Sequence, residues 1–363
     1  MTQKLRLSHK KILQLDKDTR QAARAANLLY VSDQKPGISR KKKGKSYVYI
    51  FQGRLVRKKE ELERIKKLAI PPSWRDVWIC PFPNGHLQAT GIDMNKRKQY
   101  RYHSGWHGLR THTKFHRLYE FGKSLPRLRR KIRKDLKENG LTEKKVLATV
   151  VNLKEQTLIR VGSNGYEKLY GSYGLTTLKD KHVAIKKENI RFSFKGKKGI
   201  EHSITIRNKK LARIIKQCRD IPGKELFQYY TEEGQQKSID SGMVNNYIKE
   251  AAGEEFSAKD FRTWAGSLHA LGCFRTMAKA ETATEIRKNI VSVLDEVSTK
   301  LGNSRSICRK YYVHPILIQL YEESKLESYC NSSSPDSKGN GLSAGEKILL
   351  SVVKKRCKKY PEN

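Results

Sequence analysis

The residues best suited to chemistry in this chain are arginines, lysines and tyrosines rather than metal ligands or nucleotide-binding loops. Gly44-Lys45-Ser46 imitates the end of a phosphate-binding loop, but the required glycine five positions earlier is Ser39, and a strand follows rather than precedes it. His112 and His116 share the i, i+4 spacing of one helical face. No carboxylate or thiol accompanies them, so they read as polar surface histidines, with contact to a DNA backbone as a middle reading. With no H-E-x-x-H and no tight acidic cluster, no metal or other cofactor is expected. Cys80, Cys218, Cys273, Cys308, Cys330 and Cys357 lie far apart, with no C-x-x-C pair, and read as reduced thiols of an intracellular protein. Arg, Lys and Tyr together can cut a phosphodiester without a metal. That needs an in-line nucleophile, cations for the charge growing on the non-bridging oxygens, and an acid for the leaving oxygen. Tyrosine suits reversible cutting, because a phosphotyrosyl ester keeps the bond energy and can be attacked again. Its pKa near ~10 calls for guanidiniums beside it. In Arg309-Lys310-Tyr311-Tyr312 two phenols compete for that role, and on a helix they would point about 100° apart.

The chain as a whole favours a polyanionic partner. Its 363 residues carry 76 Lys+Arg against 36 Asp+Glu, a net charge of +40. A core does not require that excess, and self-repulsion opposes compaction. Nucleic acid offsets it, since each neutralised phosphate releases condensed counterions. Apolar residues make up 37%, which still allows a core. No run approaches the ~20 apolar residues of a membrane span. The first 31 residues are basic and polar, unlike a secretory signal, and Asp16 and Asp18 argue against a transit peptide; a basic surface helix is expected there. The expected location is cytoplasmic, on a nucleoid or in a viral setting.

These patterns predict an α+β chain: a small, mixed, β-rich N-terminal domain and a larger, mostly helical domain carrying a β-hairpin. Residues 1–34 form a basic extension and 35–110 the N-terminal domain. Residues 111–326 form the helical domain, 327–341 a Ser/Gly-rich linker, and 342–363 a helix with a basic tail. Within 32–46 a loop or basic arm is expected, followed by a strand at Tyr47–Phe51 and a charged helix at Lys58–Ala69, stopped by Pro71-Pro72. Short strands flank the Pro83-Asn84-Gly85 turn. Helices are predicted at 111–121, 126–138 and 143–159. A hairpin follows, turning at Lys195–Gly199, and then helices at 209–218, 243–251, 259–280, 284–301 and 305–325. Ser343 and Glu346 have capping-box spacing before a last helix.

Five stretches occur in a telling order: Ile159-Arg160-Val161-Gly162 with Gly171-Ser172-Tyr173-Gly174-Leu175-Thr176-Thr177-Leu178; Phe194-Lys195-Gly196-Lys197-Lys198-Gly199; Lys259-Asp260-Phe261-Arg262-Thr263; Leu301-Gly302-Asn303-Ser304; and Arg309-Lys310-Tyr311-Tyr312-Val313-His314-Pro315. From about Gly37 to Tyr321 the chain resembles the type IB DNA topoisomerases of the small bacterial and poxviral kind. The resemblance implies the fold shared by those enzymes and the tyrosine recombinases. It makes Arg160 and Arg262 the clamp on the scissile phosphate and Lys197 the general acid. Read alone, the first two are surface arginines and Lys197 an exposed turn lysine, with Lys195 and Lys198 as rivals. Asn303 stands where poxviral relatives place a histidine; its amide can donate a hydrogen bond but no proton. The family puts the nucleophile nine residues past that position, which is Tyr312, leaving Tyr311 a packing neighbour. Arg97, Lys98, Gln99, Tyr100 and Tyr102 fall in the family's DNA-facing segment, where alternation puts Gln99 and Arg101 opposite Tyr100 and Tyr102. Tyr166 and Lys259 are further implied DNA contacts.

The implied activity is relaxation of supercoiled duplex DNA through a 3′-phosphotyrosyl intermediate, by a monomer that clamps DNA and uses neither metal nor nucleotide. A tyrosine recombinase is the alternative enzyme, although Lys259 stands where recombinases carry the histidine of His-x-x-Arg. A basic, non-catalytic DNA-binding protein is the alternative from another class.

Overall fold

The structure is a computed structural model that describes residues 9–44, 46–278, 280–330 and 341–358. Lys45 of the loop-like Gly44-Lys45-Ser46, most of the expected linker and the last residues of the basic tail lie outside the described residues. The chain divides into two compact units, residues 1–117 with 357–363 and residues 118–356.

The first unit opens with α1 (His9–Lys17) and α2 (Thr19–Ala25). Where a basic surface helix was expected, two helices bury an apolar side. Leu15, Ala22, Ala23 and Leu28 pack with Trp106 and Leu109, and the Asp18 carboxylate caps α2 by accepting from the Arg20 and Gln21 amides. Then come β1 (Ile38–Lys43), β2 (Ser46–Phe51), β3 (Arg54–Leu55), α3 (Lys59–Lys67), β4 (Arg75–Ile79), β5 (Leu87–Ile92) and β6 (Lys98–Tyr102). They form an antiparallel sheet in the order β3-β2-β1-β4-β5-β6. Ile38, Ile65, Val77, Ile79 and Ala89 form its core. Strand β1 corrects the loop expected at 32–46. Its basic sequence hides a strand because Arg40 is held by the Ile70, Pro71 and Trp74 carbonyls and lies over the Tyr47 ring.

Helix α4 (Ser104–Asp135) replaces the two helices expected at 111–121 and 126–138. Pro126 lies inside it, opposite the carbonyl of Gly122 one turn earlier. Burial of Leu125 and Leu128 on both sides of the proline holds the helix continuous.

The second unit centres on α5 (Glu143–Thr157), whose Val146, Leu147, Ala148, Val150, Val151 and Leu153 are all buried. A helix apolar on so many sides belongs inside a core. It is followed by α6 (Asn164–Tyr170) and a three-stranded antiparallel sheet of β7 (Val183–Lys186), β8 (Asn189–Lys195) and β9 (Glu201–Arg207). The β8–β9 register pairs Lys195 with Glu201, so Gly196–Ile200 is the hairpin tip. Beyond it lie α7 (Lys209–Arg219), the short pair β10 (Gln228–Tyr230) and β11 (Gln236–Ser238), α8 (Ser241–Ala252), α9 (Ala258–Thr276) and α10 (Ala283–Leu301). The single helix expected at 305–325 is broken into α11 (Arg305–Tyr311) and α12 (Pro315–Glu322). Pro315 forces the preceding His314 into an extended conformation, at ψ 125°. Tyr312 therefore sits at a helix end and not inside a helix. Last come α13 (Glu327–Cys330) and α14 (Ala344–Lys358); Ser343 and Glu346 make the expected reciprocal cap before α14.

Candidate active site

Arg160 follows the end of α5. The helix stops at Leu158, which takes a left-handed conformation at φ 58°, and the chain leaves through Ile159 to Arg160. That exit strand is pinned by Gly174-Leu175-Thr176: the Leu175 and Thr176 amides donate to the Arg160 and Val161 carbonyls at 2.9 and 2.6 Å. A Cβ on Gly174 would come within 2.5 Å of the Arg160 carbonyl oxygen, so only glycine allows this approach. The Gly-Ser-Tyr-Gly-Leu-Thr-Thr run is thus the buttress of one arginine.

Arg262 comes from α9 and is 5% exposed. Its Nη1 donates to the Leu158 carbonyl at 2.7 Å and its Nη2 to the Leu301 carbonyl at 2.5 Å, tying the end of α5 to the end of α10. Its Nε is buried and has no hydrogen-bond partner among the described residues. Past α10, Gly302 takes the left-handed cap, at φ 56°, and presents Asn303. Arg160 Nη2 donates to Asn303 Oδ1 at 2.8 Å and approaches the Gly302 carbonyl at 3.4 Å. The Tyr312 ring centroid lies 5.3 Å from the Arg262 guanidinium carbon, while the Tyr311 ring lies by Lys310. Four of the five residues singled out, Arg160, Arg262, Asn303 and Tyr312, are thereby brought together.

Two features of α9 hold the Tyr312 segment, and neither was visible in the sequence. Ser267 Oγ donates to the Tyr312 carbonyl at 3.1 Å and accepts from the His314 amide at 3.0 Å. Gly266 lets the segment lie close, since a Cβ there would be 2.8 Å from the Tyr312 carbonyl oxygen.

The site is strongly cationic. Burial first and Arg262 second push the Arg160 guanidinium down to about 10, against an upward pull from Tyr312 and Cys308. The same pair of arginines, after burial, depresses His202 and the fully enclosed Lys154. A site in which cations disfavour one another is one that an anion would stabilise.

Lys197 is exposed at the hairpin tip, with its Nζ 5.7 Å from the Tyr166 ring centroid. Lys197, Tyr166 and Arg160 line one cleft of about 190 Å³ with Gly162, Ser163, Ser172 and Tyr173. Lys259 is exposed at the start of α9, one turn before Arg262.

In the first unit, β6 and the residue just before it carry the others. Arg97 and Gln99 both reach the Asp93 carboxylate, at 2.7 and 2.9 Å, and Lys98 pairs with Asp33 at 2.6 Å. Tyr100 and Tyr102 stack at 5.8 Å on one side of the strand, and Tyr100 remains 46% exposed. Among the described residues no three His, Cys, Asp or Glu side chains gather where a metal would sit, and no helix is long and apolar enough to cross a membrane.

Comparison with known proteins covers both units. The family described as Eukaryotic DNA topoisomerase I, catalytic core, matches residues 103–332, and Bacterial DNA topoisomerase IB, N-terminal domain, matches residues 46–93. DNA topoisomerase 1B of Acanthamoeba polyphaga mimivirus is 33% identical over 294 residues, which is 79% of this chain and 88% of that protein. DNA topoisomerase 1B of Vaccinia virus (strain Copenhagen) is 23% identical over 239 residues, 64% of this chain and 72% of the relative. With a catalytic-core match over more than half its length and a relative of that identity and coverage, the chain belongs to the type IB DNA topoisomerases, isomerases whose substrate is duplex DNA.

Proposed function

We propose that this topoisomerase relaxes supercoils through Tyr312, with neither metal nor nucleotide, as a monomer on duplex DNA in a cytoplasmic, nucleoid or viral setting. The Tyr312 oxygen attacks the scissile phosphorus as its phenolic proton passes to solvent. The bond to the 5′-oxygen breaks, and the 3′-phosphate is left esterified to the phenol. Lys197 gives its proton to the departing oxygen. Arg160, Arg262 and the Asn303 amide take up the charge on the non-bridging oxygens. The freed hydroxyl reverses the steps after the strand has turned, so torsion stored in the DNA drives relaxation. Around this centre Tyr166 and Lys259, and on the first unit Arg97, Lys98, Gln99, Tyr100 and Tyr102, contact DNA. Phosphates exchange there with the carboxylates of Asp93 and Asp33.

The observation that carries this reading is the joining of Arg160 to Asn303 beside Arg262, with Tyr312 against the second guanidinium. The test mixes protein with supercoiled plasmid in EDTA, quenches with SDS and maps the adduct. Relaxed circles and a covalent link at Tyr312 are expected. Relaxation that needs magnesium, or an adduct at another residue, would overturn it.

A further inference from the structure

Lys154 is a lysine where a core would ordinarily take a leucine. It lies in the last turn of α5 and is 1% exposed. Its Nζ donates to the Ile159 carbonyl at 2.9 Å and approaches the Leu158 carbonyl at 3.4 Å, so both its hydrogen-bond acceptors are uncharged. The Leu158 carbonyl also takes the 2.7 Å bond from Arg262 Nη1. Lys154 and Arg262 therefore converge from opposite helices on the left-handed turn that launches Arg160. Enclosure, with two guanidiniums nearby, holds the amine well below its ordinary pKa. Burying an amine without a carboxylate opposes folding, and an apolar side chain of equal length would avoid that. What the amine supplies and a methylene cannot is a pair of N–H donors on the two carbonyls just before Arg160.

We infer that Lys154 is a positioning residue for the arginine clamp, fixing the exit of α5 so that Arg160 and Arg262 meet the same phosphate. The inference rests on the reading of those arginines as the phosphate clamp. It concerns geometry: a misplacement of about 1 Å in a catalytic group can lower a rate by ~10².

The test is Lys154→Met, with Lys154→Leu as a second filler should the first not fold. Three quantities are measured: single-turnover cleavage of a short duplex, equilibrium binding of that duplex, and the melting temperature. Cleavage is expected to fall about 10- to 100-fold, with the dissociation constant within about twofold and the melting temperature equal or higher. A merely structural lysine gives the opposite pattern, a lower melting temperature with an unchanged rate for the folded fraction, and that result overturns the inference. Coupling supplies a second check. In an Arg160→Ala background, Lys154→Met should slow cleavage little further; full multiplication of the two losses overturns the inference. Arg160→Ala alone separates the two failures. If it retains its rate, the clamp reading itself is wrong; if it loses rate while Lys154→Met does not, only the role of Lys154 falls.

Discussion

Arg160 holds Asn303 by its carbonyl oxygen, Nη2 to Oδ1 at 2.8 Å, which turns the amide nitrogen away from the guanidinium. That nitrogen already approaches the Leu301 carbonyl at 3.4 Å with one hydrogen, and its second hydrogen is the one that can donate to a phosphate oxygen. Two roles are thereby separable, since aspartate would satisfy Arg160 but present negative charge where the amide donated. Asn303→Asp should cleave more slowly than Asn303→Ala, which should itself lose ~10²–10³, the usual loss for one such donor. Asn303→His, with a ring N–H, should recover most of the rate. An aspartate variant faster than the alanine variant would mean that Asn303 serves only to hold Arg160.

The proposed choice between adjacent phenols draws on the broken helix. Tyr312 closes α11 against Arg262, whereas Tyr311 lies by Lys310. Tyr312→Phe should abolish relaxation and the SDS-stable adduct while leaving duplex binding within about twofold, because it removes one hydroxyl and no charge. Tyr311→Phe should relax plasmid at a rate within tenfold of the parent. The reverse pattern would move the nucleophile by one residue.

How far the sequence disclosed this arrangement depends on the kind of signal. The hairpin, α5 and the capped start of α14 were legible, because apolar periodicity and Ser/Glu spacing are local. The family resemblance also singled out Arg160, Arg262, Asn303 and Tyr312, which the fold brings together, and Lys197, which shares a cleft with Arg160. Strand β1 was not legible, since the Arg40-Lys41-Lys42-Lys43 run carries no apolar alternation and its pairing is settled by Tyr47, Tyr49 and Trp78 elsewhere in the chain. The continuity of α4 through Pro126 depends on Leu125 and Leu128 finding a core. Lys154, Ser267 and Gly266 were overlooked for a similar reason: their partners are carbonyls and backbone brought close only by folding.

Lys197 shares a cleft with Arg160 at the tip of a hairpin, which supports its proposed role as the acid for the leaving oxygen, apart from the arginine pair. Lys197→Ala should slow cleavage by ~10²–10⁴, the usual range for a general acid. A 5′-phosphorothiolate duplex has a leaving group that needs no proton, and it should restore most of that loss. If the thiolate substrate is as slow as the oxygen substrate, Lys197 acts in another way, and Lys195 and Lys198 become the variants to examine.

The histidines give a pH dependence of definite sign. The His202 ring sits between Gly196, just before Lys197, and Gly302, just before Asn303, where a Cβ on either glycine would meet it at 2.5 and 3.2 Å. Burial first, then Arg160 and Arg262, lower its pKa from 6.5, against Glu201. A depressed histidine favours folding while neutral. Its contribution is whole above the unfolded value near ~6.5 and is lost as pH falls toward the lower folded value. His86, His182 and His269 are shifted the same way. The melting temperature should therefore drop between pH 7.5 and 5.5, and His202→Phe should drop less over that interval. An equal or steeper drop in the variant would contradict the depressed value.

Gly266 tests the support of Tyr312, the proposed nucleophile, from the opposite side. A Cβ there would stand 2.8 Å from the Tyr312 carbonyl oxygen and 3.1 Å from the Tyr312 Cβ, both in a segment already held by Ser267. Neither atom is the loose end of a flexible chain, so Gly266→Ala must push the Tyr312 backbone away from α9. Overpacking of this kind destabilises by about 1–3 kcal/mol, and displacement of the phenol should slow cleavage by ~10². Ser267→Ala removes two hydrogen bonds without adding volume and should slow cleavage less. Stability comes from thermal melting and the rate from single-turnover cleavage. A Gly266→Ala protein that melts lower but cleaves at the parental rate would show that Tyr312 is positioned by its own turn and not by α9.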